Sequence, residues 1–97
     1  MPAFLLLMHN DTTAEESGAM WESYLATLRS KGAFAGGSSI GTGECIRKAG
    51  DPTPVARHLT GYARVEAADL AAARALVEGN PVYECGGTVE IRELTED

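Results

Sequence analysis

The unbroken apolar run from Ala3 to Met8 limits the folds open to this chain more than any other segment. A strand with one face in water alternates apolar and polar residues, whereas a strand covered on both faces carries a continuous apolar run. The run is too short to span a bilayer, and it lacks the basic residues and the cleavage site of a signal peptide. We therefore predict a central β-strand over residues 3–8, in a cytoplasmic protein.

A helix is predicted to follow this strand. Asp11 and the two threonines after it are typical of a helix start, and Gly32 is typical of a helix end. Between them, apolar residues recur with the spacing of one helical stripe, which predicts a helix over residues 12–31. The residues of this stripe are Met20, Trp21, Tyr24, Leu25 and Leu28.

Three further strands and a second helix are predicted in the rest of the chain. The glycine-rich segment 33–43 predicts a strand bent or bulged by its glycines, and residues 57–66 alternate as in a strand with one buried face. Asp69 is the candidate N-cap of the second helix, which is predicted to stop at residues 79–81. The last strand is predicted over residues 87–94.

The order β-α-β-β-α-β is that of the ferredoxin-like α+β fold, a four-stranded antiparallel sheet with two helices on one face. At 97 residues the chain has room for a single domain over residues 1–97, whose acidic end at 93–97 we expect to be frayed. The sheet face away from the helices would be bare in a monomer, so we predict a homodimer in which two such faces pair as a dimeric α+β barrel. The residues expected on this face are His58, Tyr62, Arg64, Glu90 and Arg92.

The net charge of −6 argues against two classes of partner. An acidic protein is repelled by the phosphates of nucleic acids and by anionic membrane surfaces, so we predict neither partner. Cys45 and Cys85 are far apart, with no histidine or second cysteine near either at the spacing of a metal site. We therefore predict two reduced thiols, no metal site and no cofactor.

Segments in all parts of the chain share the pattern of one family. They are Phe4-Leu5-Leu6-Leu7-Met8, Leu28-Arg29-Ser30-Lys31-Gly32, Phe34-Ala35-Gly36-Gly37, Leu59-Thr60-Gly61-Tyr62-Ala63-Arg64-Val65-Glu66-Ala67 and Asn80-Pro81-Val82-Tyr83-Glu84-Cys85-Gly86-Gly87-Thr88-Val89-Glu90-Ile91-Arg92. On these segments the chain resembles the YCII-related family over nearly its whole length. An Asp-Gly-Pro-Phe motif found in one subgroup of that family is absent, and residues 54–58 stand in its place.

The resemblance implies a dimeric α+β barrel with a cleft beside the sheet. Some members of the family are lyase-like enzymes that act on chlorinated hydroxyaromatic compounds. In the enzyme-like members, the resemblance implies an acid/base pair formed by a histidine early in the first helix and an aspartate after the second. These two positions fall on Trp21 and Asn80, and neither side chain can carry the proton. The resemblance therefore does not extend to this pair.

His9 is the candidate catalytic residue, because histidine titrates near neutral pH and the ends of strands often border clefts. It also fits a half-exposed histidine in a strand–helix turn, with Asp11 as a capping neighbour. Trp21 fits either a flat wall for an aromatic ligand or a core residue. The other candidate ligand-binding residues, each of which also fits a packing role, are Tyr24, Ser38, Ser39, His58, Tyr62, Arg64, Asn80 and Arg92.

Two functions stay open on the sequence. The first is a small-molecule-binding or accessory module with a cleft beside the sheet. The second is a lyase- or isomerase-like enzyme that acts on a small oxygenated acid, aromatic or not, with His9 as proton carrier and an arginine as anchor. Because Trp21 and Asn80 stand where the family's acid/base pair is expected, we favour the binding module.

Overall fold

The structure of the protein, a computed structural model, describes residues 1–95. Its elements in chain order are β1 (Ala3–His9), α1 (Gly18–Ser30), β2 (Phe34–Ser39), β3 (Leu59–Glu66), α2 (Leu70–Ala75), α3 (Pro81–Glu84) and β4 (Val89–Leu94). The four strands form one antiparallel sheet in the order β2-β3-β1-β4. This order and pairing confirm the predicted ferredoxin-like α+β fold.

The first strand, β1, lies in the centre of the sheet between β3 and β4, as its apolar run predicts. Its residues alternate in burial: Phe4, Leu6 and Met8 are buried, whereas Leu5 and Leu7 are only partly buried on the other side. We call that other side, which the helices leave uncovered, the open face. The buried residues of β1 pack into one hydrophobic cluster with side chains of α1, β3 and the C-terminal third, namely Tyr24, Leu28, Ala63, Val65, Val77 and Val82.

The open face carries large polar side chains beside the partly buried leucines. Residues paired across antiparallel strands share a side of the sheet, so the pairing assigns each row to a face. The two central rows across β3, β1 and β4 are Arg64–Leu5–Arg92 and Tyr62–Leu7–Glu90. The predicted positions of these four polar or aromatic residues on one face are confirmed.

The start of α1 differs from the prediction. The helix begins at Gly18, because the hydroxyl of Ser17 accepts a hydrogen bond from the backbone amide of Met20 and caps the first turn. Asp11 was expected to cap a helix over residues 12–31. Its carboxylate instead accepts hydrogen bonds from the backbone amide and the hydroxyl of Thr88, at 2.8 and 2.6 Å. Asp11 therefore does not cap α1 as predicted, but links the segment after β1 to the segment before β4.

The glycine-rich strand is shorter than predicted. β2 ends at Ser39, and its register against β3 shifts between Phe34 and Gly37, where Gly36 has a φ of 110°. This irregularity agrees with the predicted bend. Residues 40–58 form a long loop without regular structure, which includes the last residues assigned to the strand by its sequence.

Two boundaries in the C-terminal third also differ. Asn80 was expected to stop a helix, yet its side-chain oxygen accepts a hydrogen bond from the amide of Val82 and caps the short helix α3, with Pro81 in the first turn. β4 extends to Leu94, which pairs with β1, so the fraying predicted from residue 93 is wrong up to that point. Residues 96–97 lie outside the described residues. Among the helices of residues 1–95, none is long and apolar enough to cross a membrane.

Candidate functional site

A cleft of about 490 Å³ opens where β1 ends, between α1 and the strands β2 and β3. Its floor consists of small residues, because Gly37 and Gly61 lie beside Ala63 on the paired strands. A Cβ atom at Gly37 would lie 2.6 Å from the backbone oxygen of Tyr62, so only glycine allows β2 to approach β3 this closely. The other residues that line the cleft are Met8, His9, Asn10, Thr12, Glu16, Trp21, Leu25, Phe34, Ser38, Ser39, Thr60 and Tyr62.

Trp21 forms one wall of the cleft. It lies in the first turns of α1, its indole Nε1–H donates a hydrogen bond to Glu16 at 2.8 Å, and its ring contacts Tyr24 edge-on. Tyr24 lies behind this wall and does not line the cleft. Its hydroxyl donates to the backbone oxygen of Leu76 at 2.6 Å, and burial raises its pKa above 10.0. The hydrogen bond and the ring contact hold the indole in place, while its side chain stays only partly buried.

His9 lies at the edge of the cleft and belongs to a polar cluster on the open face. Its Nε2 atom lies 2.9 Å from a carboxylate oxygen of Glu90, and because a carboxylate only accepts, the imidazole donates this hydrogen bond. The other Glu90 oxygen accepts from the Arg92 guanidinium at 3.2 Å. The His9 imidazole first, and then Arg92, hold the pKa of the Glu90 carboxyl below its usual value of 4.5. The carboxylate therefore fixes the orientation of the imidazole.

The second histidine completes this cluster. His58 precedes β3, and its ring lies edge-on to that of His9 with 4.8 Å between the ring centres. One nitrogen of each imidazole and one oxygen of Glu90 lie within 4.8 Å of one another. We call His9, His58 and Glu90 the His–His–Glu cluster. Sequence spacing cannot reveal it, because His9 and Glu90 are 81 residues apart and meet only through sheet pairing.

The structure brings together some of the predicted site residues and separates others. Those that line the cleft are His9, Trp21, Ser38, Ser39 and Tyr62. Arg64 and Arg92 lie on the open face, and Asn80 is fully buried as the cap of α3. The residues that lie outside the cleft lining are Tyr24, His58, Arg64, Asn80 and Arg92. Phe34 and Thr60 also line the cleft, although they are not among the predicted site residues. Each lies on a predicted strand close to a glycine of the cleft floor, and that position is the signal that could have identified them.

Comparison with known proteins connects this architecture to one family. The family model of the YCII-related domain matches residues 1–96. The fold is similar to that of 5-chloro-2-hydroxyhydroquinone dehydrochlorinase from Burkholderia phenoliruptrix, whose structure was solved in complex with 2,5-dihydroxybenzoquinone. The two share 16% sequence identity with a TM-score of 0.53, over 98% of this chain and 95% of the other. No curated protein matches the sequence.

The Asp11→Asn variant is expected to lose less stability in acid than the wild type. Hydrogen bonds from the Thr88 hydroxyl and amide hold the pKa of the Asp11 carboxyl below its ordinary value of 3.8. The stability that results is fully present above this value and is lost as the pH falls through the folded pKa. Thermal unfolding followed between about pH 5 and about pH 2 measures this loss. The control is Asp51→Asn in the exposed loop, and an equal acid loss in Asp11→Asn and the wild type would contradict the prediction.

Proposed function

The chain belongs to the YCII-related domain family, and we propose that within it the protein is a small-molecule-binding module whose ligand occupies the cleft beside α1. The observation that carries the proposal is the composition of the cleft wall. Ligand sites are concave and largely apolar, with a few polar groups that orient the ligand. The cleft of about 490 Å³ is lined by the apolar residues Trp21, Leu25 and Phe34 together with the polar residues Thr12 and Ser39.

The cleft fits a small, planar and uncharged hydroxylated ring better than an acid. Aromatic walls stack on a flat ring, and hydroxyl groups exchange hydrogen bonds with its substituents. Glu16 lines the cleft and would repel an anion, whereas no lysine or arginine of residues 1–95 lines it. Arg64 and Arg92, candidate anchors for an acid, project from the open face instead. The family relative of similar fold was solved with a dihydroxybenzoquinone, which is likewise a flat oxygenated ring.

Titration with hydroxylated benzenes and quinones is expected to change the fluorescence of Trp21 saturably. The signal reports on one place because Trp21 is the only tryptophan. By calorimetry, Trp21→Ala should weaken binding by about 10-fold, since a stacked aromatic contact contributes roughly 0.5–1.5 kcal/mol beyond its buried area.

The matched control is Tyr83→Ala, which removes an exposed aromatic side chain of α3 outside the cleft. Its affinity should equal that of the wild type. Absence of saturable binding throughout the panel, or equal affinities of Trp21→Ala and the wild type, would refute the binding site.

A second candidate function is a lyase- or isomerase-like proton transfer with His9 as the proton carrier. The observation in its favour is the 2.9 Å hydrogen bond between His9 and Glu90 at the edge of the cleft. A carboxylate that accepts a hydrogen bond from one imidazole nitrogen orients the ring and fixes its tautomer, so that the other nitrogen can accept a proton. The pair thus supplies acid/base chemistry from positions other than Trp21 and Asn80.

If this enzyme function holds, His9→Gln is expected to lower kcat by about 100-fold or more while ligand affinity stays within a few-fold of the wild type. Glutamine keeps the hydrogen-bonding capacity and removes the titrating group. Steady-state turnover of the compounds that bind in the titration provides the measurement, with Glu66→Gln, at the far end of β3, as the control. Wild-type protein that binds these compounds without converting them would leave the binding module as the function.

The open face is also proposed as the interface of a homodimer. Leu5 and Leu7 lie there only partly buried in the single chain, and pairing of two such faces would remove them from water. Two copies related by a two-fold axis contribute the same residues twice. This arrangement would form the dimeric α+β barrel that the sequence predicts.

Leu5→Asn is expected to shift a dimer towards the monomer in sedimentation equilibrium. Burial of one leucine side chain contributes about 1.5–3 kcal/mol, and each dimer loses two, so the dissociation constant should rise by well over about 10-fold. Leu70→Asn, which alters an exposed leucine at the start of α2, provides the control. A wild type that stays monomeric at all accessible concentrations would refute the interface.

The cytoplasm is the proposed location. Cys45 and Cys85 are both free thiols, and Cys85 is buried. Proteins of oxidising compartments use their cysteines in disulfides, whereas reduced thiols persist in the cytosol. The two free thiols therefore support this proposed location.

A further inference from the structure

We propose that the His–His–Glu cluster binds a divalent first-row transition-metal ion of the zinc class. The site goes beyond the proposed ligand cleft, because it needs no occupant of the cleft. It lies where β1 ends and β4 begins, at the edge rather than at the centre of the open face that we propose as the dimer interface. The sequence predicts no metal site, because it has no metal-ligand spacing around its histidines and cysteines. The fold brings these ligands together, because the end of β1 lies between the start of β3 and the start of β4.

The backbone holds the three side chains on a stiff support. The amide of His9 donates to the oxygen of Thr88 at 3.0 Å, which ties the end of β1 to the start of β4. The amide of Asn10 donates to the oxygen of His58 at 2.9 Å, which ties the same point to β3. Glu90 lies within β4, paired opposite Leu7. Backbone hydrogen bonds of the sheet therefore position the residues that carry the three donor atoms, so their placement does not depend on the long loop alone.

The donor set suits a transition-metal ion. Imidazole nitrogens and one carboxylate oxygen are ligands of zinc, cobalt, nickel and iron, whereas calcium and magnesium prefer oxygen alone. Three protein ligands leave a coordination position for water or another ligand. The cluster thus has the composition of an open, exchangeable site rather than that of a closed structural one.

The distances require only a small closure. Bonds of about 2.0–2.2 Å to one ion place the donor atoms about 3–3.5 Å apart in a tetrahedral arrangement. The Nε2 atom of His9 and the Glu90 oxygen already lie 2.9 Å apart, and all three donors lie within 4.8 Å. His58 is exposed, so its side chain can rotate towards the other two without disturbing the core.

Arg92 orients the carboxylate of Glu90 in this arrangement. Arg92 bonds the Glu90 oxygen that does not face His9, so it holds the carboxylate while leaving the other oxygen for the ion. Metal-binding carboxylates are commonly oriented in this way by a second group. An ion at His9 would displace the proton that Nε2 shares with Glu90, so metal binding and proton transfer by that nitrogen exclude each other at any one moment.

The test is calorimetric titration of the full chain, without an affinity tag, against Zn²⁺ and against Co²⁺. One ion per chain is expected to bind. The visible absorption spectrum of bound Co²⁺ should be that of an ion coordinated by nitrogen and oxygen donors. His58→Ala and Glu90→Gln should each weaken binding by at least about 10-fold, because even loss of an outer-sphere partner has that effect. The chain has only two histidines, so imidazole nitrogen resonances should report the ion on His9 and His58 alone.

Two controls separate this site from other binding. Glu66→Gln removes an exposed carboxylate on β3, and Cys45→Ser removes the more accessible thiol; both should leave the affinity unchanged. Absence of binding, or binding that survives His58→Ala and Glu90→Gln but is lost in Cys45→Ser, overturns the proposal. The ligand titrations of the cleft are to be made with a chelator present, so that they report on ligand binding without metal. A failed metal titration and a failed ligand titration are then separate results.

Discussion

The pairing of β1 on both of its edges is the constraint on which the rest of the structure depends. It fixes the alternation that buries Phe4, Leu6 and Met8 and turns Leu5 and Leu7 to the open face. A slip of one residue would exchange the two sets and turn Phe4, Leu6 and Met8 to the open face. The same register brings the end of β1 to the cleft and β4 to the His–His–Glu cluster, so the fold and both candidate sites share one determinant.

His9 links the two sites through an irregularity in this pairing. The register between β1 and β3 shifts between Met8 and His9, which is typical of a bulge that re-aims a side chain beside a functional site. At this point Met8 and His9 both reach the cleft, although they follow each other along a strand. One histidine therefore borders the ligand space and also bonds Glu90 on the open face. Under the two proposals, the chemistry available in the cleft depends on whether the His9 imidazole carries a proton or binds a metal ion.

The sequence predicts the elements whose signals are local. The apolar run of β1, the alternation of β3 and the Asp69 cap of α2 each lie within one element, and each is confirmed. The failures have a different origin: Asp11 bonds Thr88 across the fold, and Ser17 then caps α1. A short polar side chain looks the same in a sequence whether it caps the next helix or a distant segment. The candidate site is predicted in part for the same reason, since Trp21 and His9 stand out as rare residue types whereas the partner of His9 comes from a remote strand.

The glycine-lined floor of the cleft has a consequence for selectivity. Gly37 and Gly61 present backbone to the space above them, and Ala63 adds a single methyl group, so the floor has no side-chain torsion that could yield to a thicker guest. The rim is different, because Ser39 is exposed and its hydroxyl can rotate. A pocket built in this way discriminates steeply by the thickness of a molecule and leniently by the position of its hydroxyl groups. In the proposed ligand site, flat rings with different substitution patterns would therefore compete for one place, and a saturated, puckered ring would fit less well.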